Sequence, residues 1–237
     1  MQTTELDPAL SQTLDSTGKN GLKLVIANKN YSSWSMRPWV AMTAFNIPFQ
    51  EVSLLLDRAD TAMQIAHYSS AGRVPILLAG ETTIWDSLAI CEYLAEQFPE
   101  KKMWPEDVAA RALARSICAE MHSGFTGVRS AMWMNIRARF PGKGRTIDAQ
   151  ADIGRISEIW ETCLALSGPS EFLFGEFSIA DAYFAPVVMR FRTYDVVLGP
   201  ALDAYVERVA AHPAVAQWIS GALAETARIP KYDVYPD

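Results

Sequence analysis

Gly72-Arg73-Val74-Pro75-Ile76-Leu77-Leu78 and Ile84-Trp85-Asp86-Ser87-Leu88-Ala89-Ile90-Cys91-Glu92-Tyr93-Leu94 decide how this chain is read, because a Val-Pro strand start is followed by an acidic-Ser helix start. Proline has no N–H to give to a ladder, so Pro75 marks the first residue of a strand over 76–79. The Val74-Pro75 bond carries only a small trans preference. In the cis form it turns the Val74 amide and carbonyl outward, where an extended peptide can pair with them. Gly80-Glu81-Thr82-Thr83 reads as a hairpin turn, with Ile84-Trp85 as the returning strand. Asp86 or Ser87 then caps a helix whose apolar residues Leu88, Cys91, Leu94 and Phe98 recur at helical spacing. The free amides of a helix start hold a carboxylate, and the Asp86 side chain holds an ammonium group, so the stretch supplies both ends of a site for a small anionic peptide. Each feature alone is ordinary punctuation. Their order and spacing carry the functional reading.

Upstream, Leu22 to Ala27 reads as a strand, followed by a polar turn from Asn28 to Ser35 and a helix over 36–45. A second strand covers 49–53 and a short helix 60–66, with a loop from Tyr68 to Gly72. The order β-α-β-α-β-β-α predicts a mixed four-stranded sheet with helices packed on it. Pro99 and Trp104-Pro105 punctuate the boundary, and everything beyond reads as helix. Leu113, Ile117, Met121, Phe125, Val128, Met132 and Ile136 form one apolar stripe, which predicts a long helix over 106–139. Gly124 and Gly127 interrupt it, as close approach of a neighbouring helix or a ligand requires. A further helix covers 148–166, and Ser178-Ile179-Ala180-Asp181 has the form of a capping box with Asp in the Glu position. Pro186 is expected to kink the helix that follows. Helices over 201–211 and 213–226 and an irregular tail complete the chain. The fold class is therefore α+β: a polar, mobile extension over 1–20, a sheet domain over 21–99 and an all-helical domain over 106–237.

The 237 residues are 50% hydrophobic and 20% charged, the composition of a globular protein with ample core. A net charge of −6 speaks against nucleic acid as the partner. Residues 1–20 lack both a basic start and an apolar run, so neither a signal peptide nor a membrane span is expected. Cys91, Cys118 and Cys163 fall in three separate helical patterns, and His67, His122 and His212 are scattered. That distribution suggests no disulfide framework and no metal site, and it fits a reducing cytoplasm.

The sequence resembles the cytosolic glutathione transferases. These carry Val-Pro and, shortly after, Glu/Asp-Ser leading into a helix of the form Leu-Ala-Ile-x-x-Tyr-Leu, as Leu88 to Leu94 reads here. The resemblance implies a thioredoxin-like first domain, an all-α second domain, a homodimer, and glutathione as a substrate. By it, Val74 and Pro75 meet the cysteinyl part of glutathione, Asp86 and Ser87 hold its γ-glutamyl end, and Arg73 its glycyl carboxylate. In Tyr31-Ser32-Ser33-Trp34-Ser35-Met36-Arg37 the serines match the serine-type zeta members, which include maleylacetoacetate isomerases, with Trp34 in the place of their cysteine. By that match Ser32 or Ser33 activates the thiol, and Arg37 adds positive field.

A free thiol has a pKa near about 8.5, and its thiolate is the nucleophile. A donated hydroxyl, a helix start and a guanidinium all favour the anion, and a shift of roughly two units needs only one or two charge-assisted bonds. Residue by residue, plainer readings stay open. One of Ser32, Ser33 and Ser35 is expected to cap helix amides, Arg37 can be an ion-pair partner, and Tyr31 and Trp34 can be core or site wall. Arg115, His122, Thr126, Arg129, Trp133 and Arg137 form a second stripe on the long helix, either a solvated face or a cleft face for an acidic electrophile, with Arg129 and Trp133 in the second-substrate pocket. Transfer of glutathione to a small electrophile is the leading reading. A glutathione-dependent isomerase, or a non-catalytic glutathione-binding or interaction module on the same fold, is the alternative.

Overall fold

The computed structural model describes residues 21–168, 171–233 and 235, so the expected extension over 1–20 lies outside the described residues. The first part of the chain runs β1 (Lys23–Ala27), α1 (Ser33–Ala44), β2 (Gln50–Leu54), α2 (Thr61–Tyr68), β3 (Ile76–Ala79), β4 (Thr82–Ile84) and α3 (Ser87–Gln97). These strands form one mixed sheet in the order β2-β1-β3-β4, with β1 parallel to β2 and antiparallel to β3. Because side chains alternate along a strand, the register Leu24↔Leu77 and Val25↔Ile76 sends the two pairs to opposite faces. Leu24, Ile26 and Leu77 join the main core with α1 and α3, while Val25 and Ile76 meet Leu54 and Ile65 beneath α2. A sheet covered on both faces fits the nearly continuous apolar run of β1.

The remainder is helical: α4 (Val108–Ser123), α5 (Thr126–Ala131), α6 (Ile147–Ser167), α7 (Ile179–Tyr194), α8 (Pro200–Ala211) and α9 (Pro213–Ala224). Helix α1 packs on α7 and α9, so the two parts share one continuous core. The helix α7 is buried almost along its whole length. Its start is the expected capping box, and the fully buried Asp181 carboxylate accepts from the Leu173 and Ser178 amides and from the Ser178 and Tyr205 hydroxyls at 2.9–3.1 Å. No helix among the described residues is long and apolar enough to cross a membrane.

Three expectations need correction. The long helix over 106–139 does not form: α4 stops at Ser123, Phe125 turns into the left-handed region (φ 57°), and α5 is a separate short helix. The apolar stripe is real, since Ile117, Met121, Phe125, Val128 and Met132 are all buried, but it is carried by two elements and a loop that bury the same side. The second stripe consequently disperses, with Arg115 bonded to Glu92 on α3 and Arg137 to the carbonyls of Glu225 and Ala227. At the start of α1 no serine side chain caps the helix. Ser35 Oγ accepts the Ala27 amide from the end of β1 instead, and the loop amides of Tyr31 and Ser32 bond to the Asn28 carbonyl. Gly127, in contrast, behaves as expected: a Cβ there would stand 2.5 Å from the Asp148 backbone, so α5 and α6 meet backbone to backbone.

Candidate functional site

A cavity of about 460 Å³ opens where the sheet domain meets the helices, lined by Trp34, Ala71, Arg73, Val74, Pro75, Trp85, Asp86, Ser87 and His122. Four local structures deliver these residues: the first turn of α1, the loop into β3, the start of α3 and the last turn of α4. The Val74-Pro75 bond is cis and directly precedes β3. Asp86 is the cap of α3, its Oδ1 accepting the Leu88 amide at 3.0 Å. A cap fixes the carboxylate at the positive end of the helix, beside the amides that the first turn leaves free. Arg73, Val74, Pro75, Asp86 and Ser87 are thus brought together around one cavity, which Trp34 also lines.

The hydroxyls near the start of α1 do not line this cavity. Ser32 is 7% exposed and donates to Ser35 Oγ at 2.7 Å; Ser33 is 6% exposed, and its Oγ accepts from Arg190 Nη2 at 3.2 Å. Arg37 is fully buried between two rings, with its guanidinium carbon 4.3 Å from the Trp34 centroid and 4.4 Å from that of Tyr183. Its Nε donates to the Tyr183 carbonyl oxygen, and burial pulls its pKa down. Arg129 also stacks on Trp34, at 4.6 Å, while its Nε and Nη2 donate to the carbonyls of Gly124, Met121 and His122 that the end of α4 leaves open. Tyr31 and Trp133 stand elsewhere. Both pack on Tyr232, and the Tyr31 hydroxyl takes part in bonds with Arg137, Asp233 and the Ile229 amide.

Two further residues join the site: His122, read from sequence only as a member of the second stripe, and Tyr183, which the sequence did not single out. His122 Nε2 lies 3.0 Å from Asp86 Oδ2, His122 Nδ1 lies 2.7 Å from the Tyr183 hydroxyl, and that hydroxyl lies 3.0 Å from Ser87 Oγ. Asp86, His122, Tyr183 and Ser87 therefore form one polar chain across the domain boundary. His122 stood on the charged stripe, but nothing local pairs it with residues so far away in sequence, and Tyr183 reads as one more apolar residue after the capping box. The chain's own thiols take no part. Cys91, Cys118 and Cys163 are buried and unpaired by disulfides, and burial pushes Cys91 up to about 12 and Cys163 to about 11. A thiolate at this site has to arrive with a ligand.

Residues 31–97 match the family described as "Glutathione S-transferase, N-terminal domain", and residues 136–220 match "Glutathione S-transferase, C-terminal domain". Among curated relatives, a "Probable maleylacetoacetate isomerase" of Caenorhabditis elegans is 33% identical over 92 residues, which is 39% of this chain and 42% of that protein. The "Probable maleylacetoacetate isomerase 2" of Drosophila melanogaster is 27% identical over 172 residues, 71% of this chain and 74% of that one. The first of these matches thus spans less than half of its relative's length. A solved structure described as a glutathione transferase homologue from Burkholderia gl BGR1, with bound glutathione, superposes with a TM-score of 0.68 over 87% of this chain and 100% of that one, at 24% identity.

Proposed function

Because the chain belongs to the glutathione transferase superfamily, we propose that it binds glutathione in the cavity between β3, α3 and Trp34 and uses its thiolate on a small electrophile. The observation that carries this reading is the one cavity that Arg73, Val74, Pro75, Asp86 and Ser87 line together. Along it, the Val74 backbone pairs with the cysteinyl segment, Asp86 takes the γ-glutamyl ammonium, the Ser87 end of α3 takes the adjoining carboxylate, and Arg73 takes the glycyl carboxylate. The sulfur then points toward the start of α1. Ser32 or Ser33 is the donor in this reading: Ser32 has to redirect the proton it gives to Ser35 Oγ, whereas Ser33 accepts from Arg190 and keeps its own proton to donate. Lowering the thiol pKa by one unit corresponds to about 1.4 kcal/mol of preference for the anion, within reach of one charge-assisted hydrogen bond. The thiolate attacks an electrophilic carbon; as the S–C bond forms, either a leaving group such as halide departs with its electron pair, or the pair of a conjugated C=C bond shifts onto the adjoining carbonyl oxygen. The S–C bond is retained in the product of a transfer; in an isomerisation the shifted pair returns after rotation about the carbon–carbon bond and expels the thiolate, the activity that the names of the two relatives suggest.

One observation favours a second reading, binding without turnover: neither Ser32 nor Ser33 reaches the cavity wall. Calorimetric titration with glutathione, followed by assays of the native chain, Ser32→Ala and Ser33→Ala with an activated aryl halide and with maleylacetoacetate, separates the two. Turnover that falls at least about tenfold in Ser32→Ala or in Ser33→Ala, with glutathione affinity preserved, supports the enzyme and identifies the donor. Affinity without turnover of either compound selects the binding module, and absence of glutathione binding removes both readings. A homodimer in the cytoplasm belongs to the same proposal, and light scattering on the purified chain tests the assembly.

A further inference from the structure

Asp86, at the start of α3, and His122, in the last turn of α4, meet at the cavity, and their chemistry dictates how protons are shared between them. An ionised carboxylate only accepts, so the 3.0 Å contact between His122 Nε2 and Asp86 Oδ2 requires the ring proton on Nε2. In the neutral ring Nδ1 is then an acceptor, and it takes the Tyr183 hydroxyl proton at 2.7 Å. The Tyr183 oxygen, with its own proton given away, accepts from Ser87 Oγ at 3.0 Å. Every proton in the chain therefore points toward Asp86. Tyr183 and Ser87 are fully buried and fixed by packing, whereas the Asp86 and His122 side chains are 52% and 27% exposed and line the cavity.

Without His122 the Asp86 carboxylate would be loosely held. Its torsion is intrinsically broad, and the Leu88 amide holds Oδ1 alone. His122 supplies the second anchor. Both ring nitrogens are engaged, so the ring cannot turn without breaking a bond, and it has no donor to spare for a ligand. Charged groups approach the pair from three sides: Arg37 of α1 lies on the Tyr183 ring, Arg129 of α5 donates to the His122 carbonyl, and Arg73 lines the same cavity from the loop before β3. Among the described residues, neither these arginines nor any lysine forms an ion pair with Asp86. A carboxylate has about four acceptor positions, so one that is anchored at both oxygens and lines a cavity keeps capacity for a ligand cation.

We propose that His122 is a positioning residue for ligand recognition: held by Tyr183 as the Nε2–H tautomer, it fixes the Asp86 carboxylate in the orientation that selects a primary ammonium. The assignment rests on glutathione as the ligand, with its γ-glutamyl ammonium at Asp86. An acceptor fixed in advance lowers the ordering cost of binding, and only a ligand that carries the ammonium uses this acceptor. The role of His122 is therefore read in the discrimination between ligands with and without that group, which a merely structural role would not move.

The test has two measurements on the full chain at about pH 8. Nitrogen-15 spectra of the ligand-free native chain report the His122 tautomer, and calorimetry compares glutathione with glutaryl-Cys-Gly, which has hydrogen in place of the γ-glutamyl amino group. The expected spectrum shows His122 protonated on Nε2 and not on Nδ1. The native chain is expected to bind glutaryl-Cys-Gly at least about tenfold more weakly than glutathione. In His122→Phe, which keeps a ring against Trp34 but no bond to Asp86, that ratio should fall at least about threefold; in His122→Gln, whose amide N–H can replace Nε2–H, it should return toward the native value. An Nδ1–H tautomer overturns the proposal, as does an undiminished ratio in His122→Phe, including the case in which both ligands lose affinity equally. In each of these outcomes glutathione binding by the native chain stands. A native chain that binds neither compound overturns the glutathione reading and this assignment together. The native spectrum decides independently if a variant does not fold.

Discussion

Asp86 does two jobs that a single substitution can separate. Its Oδ1 caps α3, while its charge, on the cavity wall, is the group assigned to the glutathione ammonium. Asparagine caps as well as aspartate, so Asp86→Asn keeps the helix start and removes only the charge. The exposed pairing with His122 contributes little to stability. We expect the midpoint of unfolding to correspond to a change within about 1 kcal/mol, while glutathione affinity falls roughly 10- to 100-fold, as loss of a charged hydrogen bond predicts. Calorimetric titration checks it, and unchanged affinity would place the ammonium elsewhere. At this scale the backbone was legible, because the cis bond at Val74-Pro75 and the cap at Asp86 follow from rules that short sequence spans encode. Trp34 was legible only as an alternative between wall and core, and it is in contact with the cavity, with the buried Arg37 and with the half-buried Arg129.

Elements make their own predictions through glycine. Gly127→Ala drives a Cβ into the Asp148 and Ala149 backbone, which a side-chain rotation cannot relieve, so it should destabilise by about 1–3 kcal/mol. Gly154→Ala, at an exposed position within α6 where nothing lies within 4 Å, should stabilise by about 0.5–1 kcal/mol. Opposite signs in chemical denaturation are the expected outcome. A pH-dependent prediction concerns the junction of α1 with β2. Partial burial pushes the Glu51 pKa up, but bonds from Lys29, Trp39 and Ser53 outweigh it, and the net shift is downward from 4.5. A folded-state pKa below the unfolded value means stability that is present above 4.5 and lost as the pH falls through the lowered pKa. The gap in thermal midpoint between the native chain and Glu51→Gln should therefore be open at pH 7 and narrow steadily below 4.5; a gap independent of pH would count against the charge. Element boundaries were less legible than element types. The stripe from Leu113 to Ile136 has helical spacing throughout, and only the left-handed turn at Phe125 reveals that it spans two helices and a loop.

Across the whole molecule, the sheet domain and the helices are coupled where the ligand is expected. Tyr183, from the buried helix α7, bonds Ser87 at the start of α3 and His122 at the end of α4. Tyr183→Phe keeps the ring that covers Arg37 and removes both bonds, leaving two polar groups without their partner. We expect a loss of about 1–3 kcal/mol in stability and a several-fold weaker affinity for glutathione, measured by denaturation and by titration on the same preparation. A loss of stability with unaltered affinity would show that the polar chain supports the fold and not the site.

The sequence by itself determined the fold class, the order of elements along the first domain and the capping box of α7. These depend on periodicity, caps and turns, interactions that operate within a few residues. Tertiary structure alone decided that Ser32 and Ser33 are buried, that Tyr31 and Trp133 belong with the C-terminal segment, and that His122 and Tyr183 join the site. It alone gathered Arg37 and Arg129 around Trp34. The physical reason is that charge and hydrogen bonding act across space, so their partners are set by how helices pack and not by distance along the chain.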